Sequence, residues 1–498
     1  MLQPEGLGMV SDARGGATSQ HPDRPTTIPA YRTLPGLFRA PLDTLAEIGR
    51  RTGGSLVRVD LGLVRPYLVT RPEHVQHVLV DHADNYLRDG LMWRPLRRLI
   101  GHGLASGGPE WQPRRKLIQP MFSARNIASL IDLMSDSIAE AVGELDPVAR
   151  TGAPVDAGVT MTRIVNRAVI RAFFGDRISA PDADRLGHAI AIAFTSLGPR
   201  MLLPFVPDGV PVPGDRAFAR AVATVDDIMF PLVRRCREEG STDSDIASLL
   251  CRATGEDGER LTDREVRDDV VAMFVGGSET TAVALTWLWI VMDQRPDVAA
   301  RICAEIDEQV GSGRPGREHL AGLRYTGLVL QELLRLYPVG WIIPRTADQP
   351  DVIDGVRVAG GAPVLISPYL THRMPQLWDR PDEFEPERFT PERREGQHRF
   401  AYYPFSGGAH RCLGSHFFMV EAQLIVAALL ARFRLARRES GPVAPRAAVN
   451  LRPSRPIDLV LSARVRQKPA PRQRPAANGS SAGSRPRPSN RKPGRSPC

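Results

Sequence analysis

The chain has 498 residues, 42% of them hydrophobic, enough for a large domain with a substantial core. Its formal charge of +9 sits at one end: residues 464–498 carry ten Lys or Arg and no acid, which leaves 55 basic against 56 acidic residues in 1–463. The body is close to neutral, so its charge gives no reason to expect a nucleic-acid partner.

Residues 1–30 are polar and proline-rich, with no apolar stretch of signal-peptide type, and are expected to be poorly ordered. Leu56–Leu61 and Tyr67–Thr70 read as two short strands around a Gly/Pro turn. From about Ala124 to Pro296 the apolar spacing is mostly helical, as in Ile127–Leu145 and Met161–Phe174. Gly198–Gly214, rich in Pro and Gly, interrupts these helices as a candidate lid loop. Thr262 and Glu265 form a capping box that starts a helix of about 30 residues, about 45–50 Å long, stopped by Pro296. Its Val270–Met292 stretch is nearly all apolar, yet Ser278-Glu279-Thr280-Thr281 lies at its centre. A charge at the middle of a membrane span costs about 2.5–3.5 kcal/mol, so this reads as a buried core helix and not a transmembrane segment. Short strands are expected between Arg345 and Leu370, followed by irregular proline-rich chain and a helix from about Phe417 to Arg432. The fold class is mainly α with minor β: one domain over 31–463, and a basic Pro/Arg/Ser-rich tail over 464–498. That tail reads as solvated and disordered, or as a contact for an acidic partner or anionic membrane surface. There is no internal repeat.

The five cysteines, Cys236, Cys251, Cys303, Cys412 and Cys498, are scattered and odd in number, which argues against a disulfide framework and for a cytoplasmic protein. Cys412 differs from the others in its setting, Phe405-Ser406-Gly407-Gly408-Ala409-His410-Arg411-Cys412-Leu413-Gly414. Gly408 and Gly414 let the backbone wrap the sulfur, Phe405 offers an apolar cover, and the following helix presents free N–H groups. Such a setting suits a thiolate that serves as axial ligand to a haem iron.

Three further segments carry chemistry. Gly276-Gly277-Ser278-Glu279-Thr280-Thr281 places two glycines inside the long helix at a cost of about 1 kcal/mol each, explained either by close helix packing or by a ligand lying on the backbone. Glu332-Leu333-Leu334-Arg335 has the spacing of an ordinary helix-surface ion pair, but Pro386-Glu387-Arg388-Phe389 follows it. Trp111-Gln112-Pro113-Arg114-Arg115 supplies cations suited to carboxylates, or simply a surface arginine cluster.

In order and spacing, these segments resemble the cytochrome P450 superfamily over roughly residues 30–462, and the terpene- and fatty-acid-oxidising branches within it. The resemblance implies the cytochrome P450 fold, with a long central helix across a haem b and small β-sheets. It implies Cys412 as iron ligand, with Phe405, Gly408, His410, Gly414, Trp111, Arg115 and Arg345 around the haem. Thr280 would hydrogen-bond dioxygen, and Glu279 would relay protons. Glu332, Arg335 and Arg388 would form a buried structural network. Phe274, Val275, Gly276, Val339, Trp341, Ile342 and Ile343 would face the substrate.

The expected activity is a haem-thiolate monooxygenase acting on a terpenoid, fatty acid or polyketide. A peroxide-driven peroxygenase is the enzymatic alternative, and a haem sensor or carrier the non-enzymatic one. The Glu279–Thr280 pair argues against both, since neither needs a proton relay. Neither a flavin- or nicotinamide-type glycine fingerprint nor an iron–sulfur cysteine set is present, so electrons would come from a separate ferredoxin and ferredoxin reductase. The enzyme is expected to be a monomer.

Overall fold

In the computed structural model the described residues are 25–464, apart from 63, 90–92, 106, 109, 203–205, 208, 239–244 and 256–257. The tail beyond 464 and residues 1–24 lie outside them. Thr26–Ile28, within the stretch expected to be loose, is a strand paired in parallel with Val57–Val59.

The core is helical. Ala124–Gly143 and Ala157–Phe174 pack on each other, and Asp263–Gln294 packs on the second of them. Ser415–Arg432 completes the group, and Ala180–Ser196 with Asp215–Glu238 covers one side. The long helix has 32 residues, about 48 Å at 1.5 Å per residue. Its start is fixed as expected: Thr262 Oγ1 accepts from the Glu265 N–H at 3.3 Å, and the Glu265 carboxylate accepts from the Thr262 N–H at 2.7 Å. Asp263–Gln294 and Gly408–Arg432 are long and apolar enough to cross a membrane, but 78% and 67% of their most apolar stretches are buried by the rest of the fold. Their hydrophobicity is used in the core.

The β structure is peripheral. A six-stranded sheet runs Thr26–Ile28, Val57–Val59, Tyr67–Val69, Pro363–Ile366, Ile343–Ala347, Tyr86–Leu87, mixing parallel and antiparallel pairs. It joins the N-terminal hairpin to strands some 300 residues later, a pairing no local pattern encodes. Phe433–Arg437, Asp458–Ala463 and Pro154–Asp156 form an antiparallel three-stranded sheet. Two further hairpins pair Asp351–Ile353 with Val356–Val358 and Pro445–Ala447 with Leu451–Pro453. The candidate lid begins with a short helix, Gly198–Leu202, whose Arg200 is buried and bonds Asp215 and the carbonyl of Val210.

Candidate active site

The long helix and the Phe405–Gly414 loop face each other across a cavity of about 410 Å³. The Cys412 N–H donates to the Phe405 carbonyl at 2.9 Å, and Gly414 caps the helix Ser415–Arg432 immediately after it. The Cys412 sulfur is reachable from the cavity but otherwise enclosed by protein. Burial pushes its thiol up, while the Gly414 N–H, Arg88, Arg115 and Arg411 act the other way. Gly414 therefore acts on the sulfur as expected, but Gly408 does not. Its φ is +64°, and a Cβ there would lie 1.8 Å from the Leu79 carbonyl oxygen. Gly408 exists so that the loop can pack against His77–Asp81. Ser406 holds a positive φ of 61° beside the cavity, a strain of about 1–3 kcal/mol.

Cationic and N–H groups crowd one end of the cavity. Arg88, Arg115, Arg345 and His410 all line it. Arg88 donates to the His410 carbonyl at 2.7 Å and Arg115 to the Arg411 carbonyl at 2.7 Å. Yet Arg88 Nε, Arg345 Nη2, His410 Nδ1 and Trp111 Nε1 are buried without a hydrogen-bond partner. Burial and mutual repulsion lower the pKa of Arg345, and burial above all brings Arg88 down to about 10. Such a cluster is stable only opposite an anion. Burial above all, and the field of Arg88, Arg345 and Arg115, lower the pKa of His410. Trp111 does not line the cavity: its ring lies 3.8 Å from that of His410, centroid to centroid. Pro113 does not disturb the helix Trp111–Ile118, because it falls in the first turn, where an N–H has no helical acceptor. Arg114 turns inward to Glu265 and Asp269, away from the expected surface cluster.

The opposite wall is the long helix. An added Cβ on Gly276 would meet nothing within 4 Å, and Gly276, Gly277, Thr280 and Thr281 all line the cavity. Helix packing therefore does not explain Gly276, which leaves space for a ligand. Thr280 Oγ1 donates to the Gly276 carbonyl at 2.5 Å. Glu279 points elsewhere, into a second cavity of about 630 Å³, where it pairs with Arg452. Val339, Ile342 and Ile343 line the first cavity; Phe274, Val275 and Trp341 do not. Phe274 and Val275 are buried in the main core, and Trp341 donates its Nε1–H to the Ala448 carbonyl at 2.8 Å. In their place the apolar lining includes Leu104, Phe122, Phe173, Met273 and Phe417.

Glu421, not foreseen, is fully buried on the helix after Cys412. Burial pushes the pKa of its carboxyl well above the usual carboxylate range. Thr281 approaches it but gives its proton to the Gly277 carbonyl at 2.8 Å, leaving both Glu421 oxygens without a bond.

Behind the loop, Glu332 and Arg335 have no solvent exposure. Arg335 Nε and Nη2 bond the two Glu332 oxygens at 2.7 and 2.9 Å, and its other donors reach the carbonyls of His372, Pro381 and Glu383. All five guanidinium N–H groups are thus used. Arg388 is buried beside them: its Nε stands 3.4 Å from Glu332, an ion pair without a hydrogen bond, and its Nη2 lies 3.2 Å from Glu385 and donates to the Arg380 carbonyl at 2.9 Å. The link to the site runs through His372, whose Nε2 accepts from the Tyr403 N–H at 3.0 Å, two residues before Phe405.

A family profile described as Cytochrome P450 matches residues 22–460. The chain is 33% identical over 435 residues to cyclooctat-9-en-7-ol 5-monooxygenase of Streptomyces melanosporofaciens, covering 86% of this chain and 93% of that protein. It is 26% identical over 445 residues to pentalenene oxygenase of Streptomyces avermitilis, covering 89% and 97%. Among solved structures, the cytochrome P450DA heme domain superposes with a TM-score of 0.80 at 25% identity, covering 89% of this chain and 98% of that one.

Proposed function

Because this chain belongs to the cytochrome P450 family of haem-thiolate monooxygenases, we propose that Cys412 is the iron ligand and that the cavity above it takes a haem b and a terpenoid-sized hydrophobic substrate. The carrying observation is the set of buried, unpartnered donors on Arg88, Arg345 and His410, which line the cavity that also holds the Cys412 sulfur. Two propionate carboxylates would satisfy that set. Arg345 and Arg88 would bind them as charges, with a ring N–H of His410 as a further donor. When bound, the haem supplies the chemistry that splits dioxygen and puts one oxygen atom into the substrate, while the other leaves as water.

The protein's own part is positioning and proton supply. Gly276 leaves room beside the helix, and Val339, Ile342, Ile343 and Met273 exclude water and orient an apolar substrate. Thr280 Oγ1 holds a proton at the cavity wall, shared with the Gly276 carbonyl. Glu279, once it leaves Arg452 and takes a proton from water in the second cavity, would pass that proton on to Thr280. Relatives named for terpene oxidation support the terpenoid reading.

Reduction of the purified protein under carbon monoxide is expected to give the red-shifted Soret band of a thiolate-ligated haem. A panel of cyclic terpenes and fatty acids should contain compounds that shift the haem from low to high spin. Absence of the band would refute the cofactor reading, and a shift with polar compounds alone would refute the substrate class. Thr280→Ala should retain haem yet lose product severalfold per electron pair consumed, the deficit appearing as hydrogen peroxide; unchanged coupling would refute the role of Oγ1.

Electrons would come from a separate ferredoxin with its reductase. We propose the exposed Arg411, next to Cys412, as part of the docking face, on a monomeric, cytoplasmic enzyme with its catalytic domain in 31–463 and its basic tail in 464–498. Stopped-flow reduction should slow as salt shortens the screening length to about 10 Å and below, and slow again in Arg411→Glu. Rates indifferent to both would exclude this docking face.

A further inference from the structure

Among the described residues, one cluster outside the haem cavity has metal-ligand chemistry. His77–Asp81 is a turn of π-helix, closed by the His82 N–H donating to the His77 carbonyl at 2.9 Å. In an α-helix residues five apart point about 140° away from each other. The wider π turn brings them into register, and the rings of His77 and His82 stack 4.0 Å apart at 17°. The hairpin Asp351–Ile353/Val356–Val358 adds a carboxylate, with His77 Nε2 2.7 Å from Asp351 Oδ2. One ligand atom from each of His77, His82 and Asp351 lies within 4.8 Å of the others.

We propose that His77, His82 and Asp351 form a binding site for a divalent transition-metal ion of the zinc class. Two imidazoles and one carboxylate suit zinc, copper or nickel, whereas magnesium and calcium prefer oxygen donors throughout. Tetrahedral zinc, with bonds of about 2.0–2.1 Å, places its ligands about 3.3 Å apart. The His77–Asp351 hydrogen bond would open slightly, and exposed His82 would close the rest by side-chain rotation. The carboxylate is already held from behind, as metal-ligating carboxylates are: Tyr86 donates its hydroxyl to Asp351 Oδ2 at 2.7 Å, and the Val352 N–H donates to Oδ1 at 2.7 Å. His77 and Asp351 are 21% and 13% exposed in their side chains, so water can complete the coordination from the His82 side.

Such an ion would staple the hairpin to the turn on which the cysteine loop rests, since the Leu79 carbonyl fits against Gly408. A second observation fits that role: His74, one turn earlier, meets Asp354 of the same hairpin at 3.3 Å, so the contact is built from paired histidines and aspartates.

The test is calorimetric titration of the chelator-treated holoenzyme with Zn²⁺ alone, together with its melting temperature. One equivalent is expected to bind and to raise the melting temperature. His82→Ala, at an exposed position, should leave the Soret spectrum unchanged and weaken binding more than about 100-fold, beyond the 10–100-fold typical of losing an outer-shell partner. Asp351→Asn should weaken it likewise, and Tyr86→Phe by about 10–100-fold, because that hydroxyl only positions the carboxylate. No bound zinc would overturn the proposal. So would zinc held equally by His82→Ala, which would place it elsewhere, for instance at the buried thiols Cys236 and Cys251.

Discussion

Arg335→Ala should yield little haem-loaded protein. The substitution removes five hydrogen bonds and leaves the Glu332 carboxylate buried with its main counter-charge gone. Breaking a buried pair in this way costs about 3–5 kcal/mol, a large part of the 5–15 kcal/mol that holds a typical domain together. The loss would spread along His372 and Tyr403 to the cysteine loop. Arg335→Lys should also fail, because three ammonium donors cannot serve five acceptors in a planar array. Arg388→Ala should be milder, since Arg388 faces Glu332 as an ion pair at 3.4 Å without a hydrogen bond. Haem-to-protein ratio and melting temperature across the three variants measure this. Equal losses for Arg388 and Arg335 would contradict the ranking.

Cys412→Ser should abolish monooxygenation and the thiolate-type Soret band while leaving the fold largely intact. Serine is nearly isosteric, so the Phe405 carbonyl still receives the residue 412 N–H and the helix from Ser415 still starts at Gly414. A hydroxyl there would not ionise, so the N–H of Gly414 and the arginines would stabilise nothing. Full activity in this variant would remove Cys412 from the site.

Much of this arrangement was legible in the chain, for identifiable reasons. The capping box and Pro296 bracket the long helix because both act through local backbone chemistry. The cysteine loop and Glu332–Arg335 were legible as spacings. The face of the long helix was legible only in part, since Gly276 and Thr280 line the cavity as expected but their neighbours do not. Phe274 and Val275 were expected in the substrate cavity, but Phe274 lies about 200° around the helix from Gly276, and a helix buried on all sides has no polar face to set its rotation. Arg88 lies in no motif, so only the fold brings it to His410. Glu421 left a faint signal, as the single charge in the run from Phe417 to Ala431. Gly408 was correctly singled out for the wrong reason, because its partner, Leu79, is more than 300 positions away.

Thr280 and Glu279 are neighbours in sequence but open on different compartments, one on each side of the long helix. On the roles proposed for them, substrate and protons enter by separate doors. A bulky substrate that fills the first cavity and shuts out bulk water would leave the route through the second cavity open. Saturation would then not starve the reaction of protons, and the Arg452 latch, not substrate size, would set how fast they arrive.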